Sequence, residues 1–177
     1  MKLTREPATN NGQTYFVTSR TWGSRELFRN PRWADLFLDT LQKSRGQAYL
    51  LHEFVVMPDH FHVIITPVVT LERAVQYIKG GFSFRAKKEL GSTMEVWQRG
   101  FSDHRIRDPQ DYAIHLAYLR GNPVKKGLCA TAEQFPYSSS SGRCDLDIAP
   151  QRLKPLPTGD QCGTAQAVPF QSAGNSL

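Results

Sequence analysis

The stretch AYLLHEFVVMPDHFHVIITP, residues 48–67, constrains the fold of this chain more than any other. Two apolar runs rich in β-branched and aromatic residues flank Pro58-Asp59, and a Pro-Asp pair is turn chemistry. The pattern predicts a hairpin, with one strand over 48–57 and the next running back over 60–66. Along a strand, residues i and i+2 point to the same face. His60 and His62 therefore share one sheet face, while Phe61 and Val63 point to the other and can pack under a helix.

The flanking segments complete a pattern. TYFVTSR, 14–20, reads as a strand. WADLFLDTLQKS, 33–44, has a helical apolar period and Asn30-Pro31 ahead of it. Residues 71–90 read as a long basic helix with a possible bend at Gly80-Gly81, and 95–98 with 101–107 as a short irregular strand pair. A last helix has Asp108 as N-cap and Pro109 in its first turn, and it ends near Gly121, where Gly and then Pro123 can stop it. The order β-α-β-β-α-β-α fits an α+β, ferredoxin-like antiparallel sheet with helices on one face. A chain of 177 residues suits one domain, expected over 1–142. Residues 143–177 are rich in Pro, Gly, Ser and Gln without an apolar period, and read as a poorly ordered tail.

Charge and cysteine usage narrow the function. The 22 Lys and Arg against 16 Asp and Glu leave a formal charge of +6, which favours a polyanionic partner, nucleic acid first. Cys129, Cys144 and Cys162 form neither a CxxC zinc pattern nor a disulfide framework. No segment approaches the roughly 20 apolar residues of a membrane span, and no apolar run follows the basic start. A cytoplasmic protein without a membrane partner is expected.

Two strand residues place His60 and His62 about 6.6 Å apart at Cα, close enough to share one ion. Two histidines beside a turn are nonetheless more often hydrogen-bonded or solvated than metal-bound, so the pair needs a further ligand. The last helix offers candidates. Tyr118 and Asn122, at i and i+4, are neighbours, with His115 on the same arc, whereas Tyr112 lies in the apolar stripe with Leu116 and Leu119. A tyrosine at a packing boundary is an equally ordinary reading of that helix.

Taken together, MPDHFHVIITP, VWQRGFSDHRIRD, DYAIHLAYLRGNPVKKGL and FPYSS, in that order between Gln13 and Ser141, resemble the single-tyrosine HUH transposases. The resemblance is greatest to the branch associated with repetitive extragenic palindromes (REP). It implies the HUH endonuclease fold and identifies His60-Phe61-His62 as the His-hydrophobic-His motif. It maps the nucleophile onto Tyr118 and a third metal ligand onto Asn122. It further implies a divalent ion, Mg²⁺ or Mn²⁺, and cleavage and rejoining of single-stranded or hairpin DNA through a covalent 5′-phosphotyrosine. The open, mixed N/O ligand set without thiolate agrees with those ions rather than structural zinc. Relatives act as dimers or monomers, and both states stay open. Lys79, Arg85, Lys87 and Lys88, then Arg99, Arg105 and Arg107 around Trp97 and Phe101, and finally Lys125 and Lys126, are candidate DNA contacts, because cations interleaved with rings suit single strands. Two rival readings are a hairpin-binding protein that does not cleave and a metal-dependent hydrolase without a covalent intermediate.

Overall fold

The computed structural model describes residues 12–153. Strands β1 (Thr14–Arg20), β2 (Tyr49–Met57), β3 (His60–Pro67) and β4 (Ser102–Ile106) alternate with helices α1 (Pro31–Ser44), α2 (Leu71–Leu90) and α3 (Pro109–Lys125). The predicted hairpin is present, with Met57 opposite His60 and Phe54 opposite Val63. β1 inserts between β3 and β4, so the sheet runs β2-β3-β1-β4 with every neighbouring pair antiparallel. This is the ferredoxin-like order, and α3 is an addition to it.

Each helix starts at a residue chosen for the purpose. Asn30 accepts from Arg32 N ahead of Pro31, Thr70 accepts from Arg73 N, and Asp108 accepts from Asp111 N. α2 runs unbroken through Gly80-Gly81 and stops at Gly91, whose φ of 67° is the left-handed conformation that glycine adopts without strain.

The helices do not share one face. Phe61, Val63 and Ile65 of β3 join Phe37 and Leu41 of α1, and Ile78 and Phe82 of α2, in the larger core. Ile64, with Val55 and Met57 of β2, packs instead against Tyr112 and Leu119 of α3 on the opposite face. The expectation of helices on one face fails because β2 and β3 are apolar on both sides, and a sheet buried on both sides needs cover on both.

Two further expectations are corrected. Residues 95–98 and 101–107 do not pair with each other. Trp97 bridges to Thr21, while β4 joins the free edge of β1, with Phe16 opposite His104. α3 also continues past Gly121 and Pro123 to Lys125. Pro123 lacks one N–H but is buried against the sheet, and Lys126 N still bonds Asn122 O at 3.1 Å, so the last turn holds. Asn122 consequently sits in regular helix.

The tail expected from 143 begins inside packed structure. Asp147 takes Leu51 N at 2.8 Å and Arg45 Nε at 2.9 Å on its carboxylate, and its own N–H donates to Leu51 O at 2.7 Å. Cys144 and Leu146 touch the larger core, and Leu153 is fully buried in the smaller one. The remaining tail positions, 154–177, lie outside the described residues. Among the described residues no helix is long and apolar enough to cross a membrane, and Cys129 and Cys144 are free thiols.

Candidate active site

Alternation on β3 sets His60 and His62 on the α3 face, both buried, with ring centroids 4.9 Å apart and planes nearly perpendicular. Each imidazole is oriented by a bond at Nδ1. His60 Nδ1 lies 2.6 Å from Asp59 Oδ1, and His62 Nδ1 lies 2.6 Å from Thr18 Oγ1 on the neighbouring strand. The Asp59 carboxylate can only accept, so it holds a hydrogen on His60 Nδ1, whereas the Thr18 hydroxyl can donate or accept and orients His62; in both rings Nε2 is the outward nitrogen. Burial lowers the pKa of both. That of His62 falls to about 3, because desolvation is joined by repulsion from His60 and Arg20. Both rings are therefore neutral at pH 7, the form that ligates metals.

α3 brings the partners. Asn122 is buried, and its Nδ2 lies 3.1 Å from His62 Nε2. The two ends of an amide exchange by a simple rotation, which would set Oδ1 beside that nitrogen. His62 and the Asn122 amide meet here with His60 beside them, and the chemistry of that donor set suits a divalent cation.

One turn earlier, Tyr118 is 45% exposed, and its ring lies edge-on to His62 at 5.4 Å. Phe16 of β1 stacks on His62 at 5.2 Å and meets Tyr118 at 5.9 Å, so it fixes the distance between the histidine and the phenol. A cavity of about 490 Å³ opens here, lined by Phe16, Thr18, Arg20, His62, His115 and Tyr118 among others. Tyr112 differs in kind. It is buried in the smaller core, and desolvation, with Glu53 nearby, pushes its phenol up to about 12.

The predicted cations divide. Lys125 Nζ lies 5.9 Å from the Tyr118 ring centroid, and Lys126 lines a second cavity beside His60. Arg99 and Phe101 line a third, along Thr18–Arg20 of β1. Lys79, Arg85 and Trp97 each have partners within the protein. Lys79 Nζ donates to Gln98 O at 2.9 Å and Gly100 O at 2.5 Å and so holds that loop. Arg85 bonds Asp39 and Glu89 and ties α1 to α2. The Trp97 indole is buried among Phe28, Phe37, Phe61 and Phe82 and donates to Lys79 O, so its faces are not open to bases. Lys87 and Lys88 are exposed on α2, across the sheet from Tyr118. On and just after β4, Arg105 and Arg107 are exposed, and Arg105 Nε donates to Gln13 Oε1.

Several site residues escape a reading by motif. Thr18, Phe16 and Arg20 alternate along β1, and a period of two starting from any one of them would have found the rest. Asp59 bonds His60 and also pairs with Arg20 at 3.3 Å. A second group joins β4 to α3, in which the Asp111 carboxylate takes His104 Nε2 at 2.9 Å and His115 Nδ1 at 3.0 Å. These atoms lie within 4.8 Å of one another, a spacing that suits a cation. However, His115 Nδ1 also meets the Asp111 carbonyl oxygen at 2.9 Å, where it can only donate. The group is a hydrogen-bonded cluster in this state.

The fold matches a solved REP-associated tyrosine transposase bound to a REP hairpin, with a TM-score of 0.61 and 23% identity over 91% of this chain and 98% of that one. A Haemophilus influenzae protein carrying the same family name is 32% identical over 108 residues, 54% of this chain. The REP-associated tyrosine transposase of Escherichia coli K12 is 27% identical over 134 residues, 72% of this chain and 76% of that protein. The chain is similar in sequence to these two REP-associated tyrosine transposases. It spans 61% of the Haemophilus transposase's length, and no family model matches it. The α+β fold of this chain matches that of the solved REP-associated transposase.

Proposed function

We propose that this chain is a metal-dependent single-strand DNA endonuclease and strand transferase, acting on hairpin DNA as in transposition through a covalent 5′-phosphotyrosine. One observation carries the reading: α3 sets Asn122 against His62 and, one turn away, an exposed Tyr118 against the same ring. The kinship with REP-associated tyrosine transposases, one of them solved with a REP hairpin, supports DNA hairpins as the substrate class. The DNA would be that of the cytoplasmic nucleoid.

His60, His62 and Asn122 would hold Mg²⁺ or Mn²⁺. When bound, the ion polarises the scissile phosphate. Asp59 and Thr18 orient the two imidazoles that would hold it. Phe16 and His62 hold the Tyr118 ring at the cavity wall, which limits the directions from which its oxygen can approach phosphorus. That oxygen becomes esterified as the 3′ oxygen leaves. The phosphodiester energy stays in the tyrosyl linkage, so a second 3′ hydroxyl can reseal the strand without a nucleotide cofactor. Lys125, Lys126, Arg99 and Arg20 around the cavities supply phosphate contacts.

The test is a labelled hairpin oligonucleotide incubated with protein and Mg²⁺ or Mn²⁺, then run on a denaturing gel. A shifted band that maps by peptide sequencing to Tyr118 is expected. Binding without any adduct would favour the non-cleaving binder, and cleavage without one would favour the hydrolase.

A further inference from the structure

We infer that His115, oriented by Asp111, is the proton acceptor for Tyr118. The inference rests on reading Tyr118 as the nucleophile. A phenol with an ordinary pKa near about 10 is mostly protonated at neutral pH and needs a base to become an effective nucleophile.

His115 is built for that task. Its Nδ1 donates to the Asp111 carbonyl oxygen at 2.9 Å, with Asp111 Oδ1 3.0 Å away. A carbonyl oxygen cannot donate, so Nδ1 carries a hydrogen, and in the neutral ring Nε2 carries the lone pair. Asp111 is itself fixed by Arg107 N at 3.0 Å and by His104 Nε2, and the His104 ring stacks on His115 at 4.4 Å with planes 17° apart. The imidazole is thus held from its edge and from one face. Orientation of a histidine by a carboxylate at Nδ1 is the arrangement that serves general bases on other folds.

The ring also borders the same space. His115 and Tyr118 lie three residues apart on α3, a spacing that makes side chains neighbours on one helix face. Both rings abut Phe16, at 4.9 and 5.9 Å, and both line the 490 Å³ cavity. His60 and His62, by contrast, are directed at the metal position.

In the forward step the Tyr118 Oη–phosphorus bond forms and the P–O3′ bond breaks. The phenolic proton passes to His115 Nε2. The electron pair of the broken bond stays on the 3′ oxygen, which takes a proton from water. In strand joining, the attacking 3′ hydroxyl gives its proton to water, and the imidazolium returns a proton to the departing phenolate.

The test is the single-turnover rate of adduct formation with Mg²⁺, on the labelled hairpin used for the full chain. His115→Ala is expected to be slower by on the order of 10²-fold, the usual contribution of a general base. Hairpin affinity should not change. Added imidazole should restore the rate in proportion to its concentration in His115→Ala and leave the wild type unaffected. Mg²⁺ competes little for imidazole, because it prefers oxygen ligands. His115→Gln, which keeps bulk and polarity, should show the same loss, and Asp111→Asn a smaller one. A His115→Ala protein as fast as the wild type, or a slow one that imidazole does not rescue, overturns the assignment while leaving Tyr118 as nucleophile. A wild type that forms no adduct on any hairpin overturns both.

Discussion

The two faces of β3 are built from the same eight residues, yet they do different work. Phe61, Val63 and Ile65 face α1 and α2 in a core of aromatic rings packed 5–6 Å apart, as in the Phe37–Phe61 pair at 5.0 Å and the Phe61–Trp97 pair at 5.4 Å. His60 and His62 face α3 and are held by a few polar partners, Asp59 for His60, and Thr18 and Asn122 for His62. One side is redundant, with many dispersion contacts per residue, and the other relies on a few directional bonds. Period-two alternation lets one strand hold a rigid scaffold and a chemically open site back to back. Substitutions on one face should therefore move stability, and those on the other should move chemistry.

The sharpest separation is expected at Tyr118. Tyr118→Phe keeps the ring against His62 and Phe16 but has no attacking oxygen, so no adduct should form, while melting and hairpin binding stay as in the wild type. Tyr112→Phe should still form it. An adduct on Tyr112 would sink the assignment.

Next come the histidines. His62→Ala or His60→Ala should cut cleavage below detection and leave hairpin binding, which depends on the surrounding cations, largely intact. Normal cleavage by both variants with either ion would show that the metal is not held there. On the opposite face, Phe61→Ala should cost about 3–5 kcal/mol in chemical denaturation. Any adduct formed by its folded fraction should still map to Tyr118. A Phe61→Ala protein that is stable but inactive would break the comparison.

A smaller effect is expected where the tyrosine helix is tied to the sheet. Arg120 donates to Glu53 at 2.7 Å, and Glu53 is buried. Arg120→Ala leaves that carboxylate with Ser139 Oγ as its remaining partner given by side chains, at a cost of about 1–3 kcal/mol. Denaturant midpoints read this directly.

The smallest effect concerns pH. His52 is buried, with Nδ1 3.0 Å from Asp147 O and Nε2 2.8 Å from Thr66 Oγ1, and burial lowers its pKa. The unfolded chain therefore binds a proton more readily than the folded one below about pH 6.5, so the stability due to neutral His52 is complete above that pH and is lost as pH falls toward the lower folded value. His60 and His62 act in the same direction. His52→Gln should flatten the fall of melting temperature between pH 7 and 5 relative to the wild type, and parallel curves would remove His52 from that account.

The same contrast explains what could be read from residues alone. β1, α2 and the hairpin follow from period and turn chemistry, because local pattern and tertiary environment agree there. The His60-Phe61-His62 motif is legible for the same reason. The side of the sheet that α3 would cover was not, since it depends on both faces of β2 and β3 being apolar at once. The intramolecular partners of Lys79, Arg85 and Trp97, which are Gln98, Gly100, Asp39 and Phe61, are not legible either, because they come from elements up to 46 residues away, as in the Arg85–Asp39 pair. Residues 143–153 carry no period because they pack through one carboxylate, a few backbone bonds and isolated apolar contacts.

The Arg120–Glu53 tie has a mechanical meaning as well. Under the proposed chemistry a DNA strand hangs from Tyr118 until it is rejoined, and any tension in that strand is borne by α3. Two residues beyond the attachment point, the load passes through Arg120 into Glu53, at the irregularity in the β2–β3 pairing, and alongside it through Leu119 in the smaller core. The tyrosine helix is thus moored close to where it would be pulled, and the severed end would stay beside the position from which it must be rejoined.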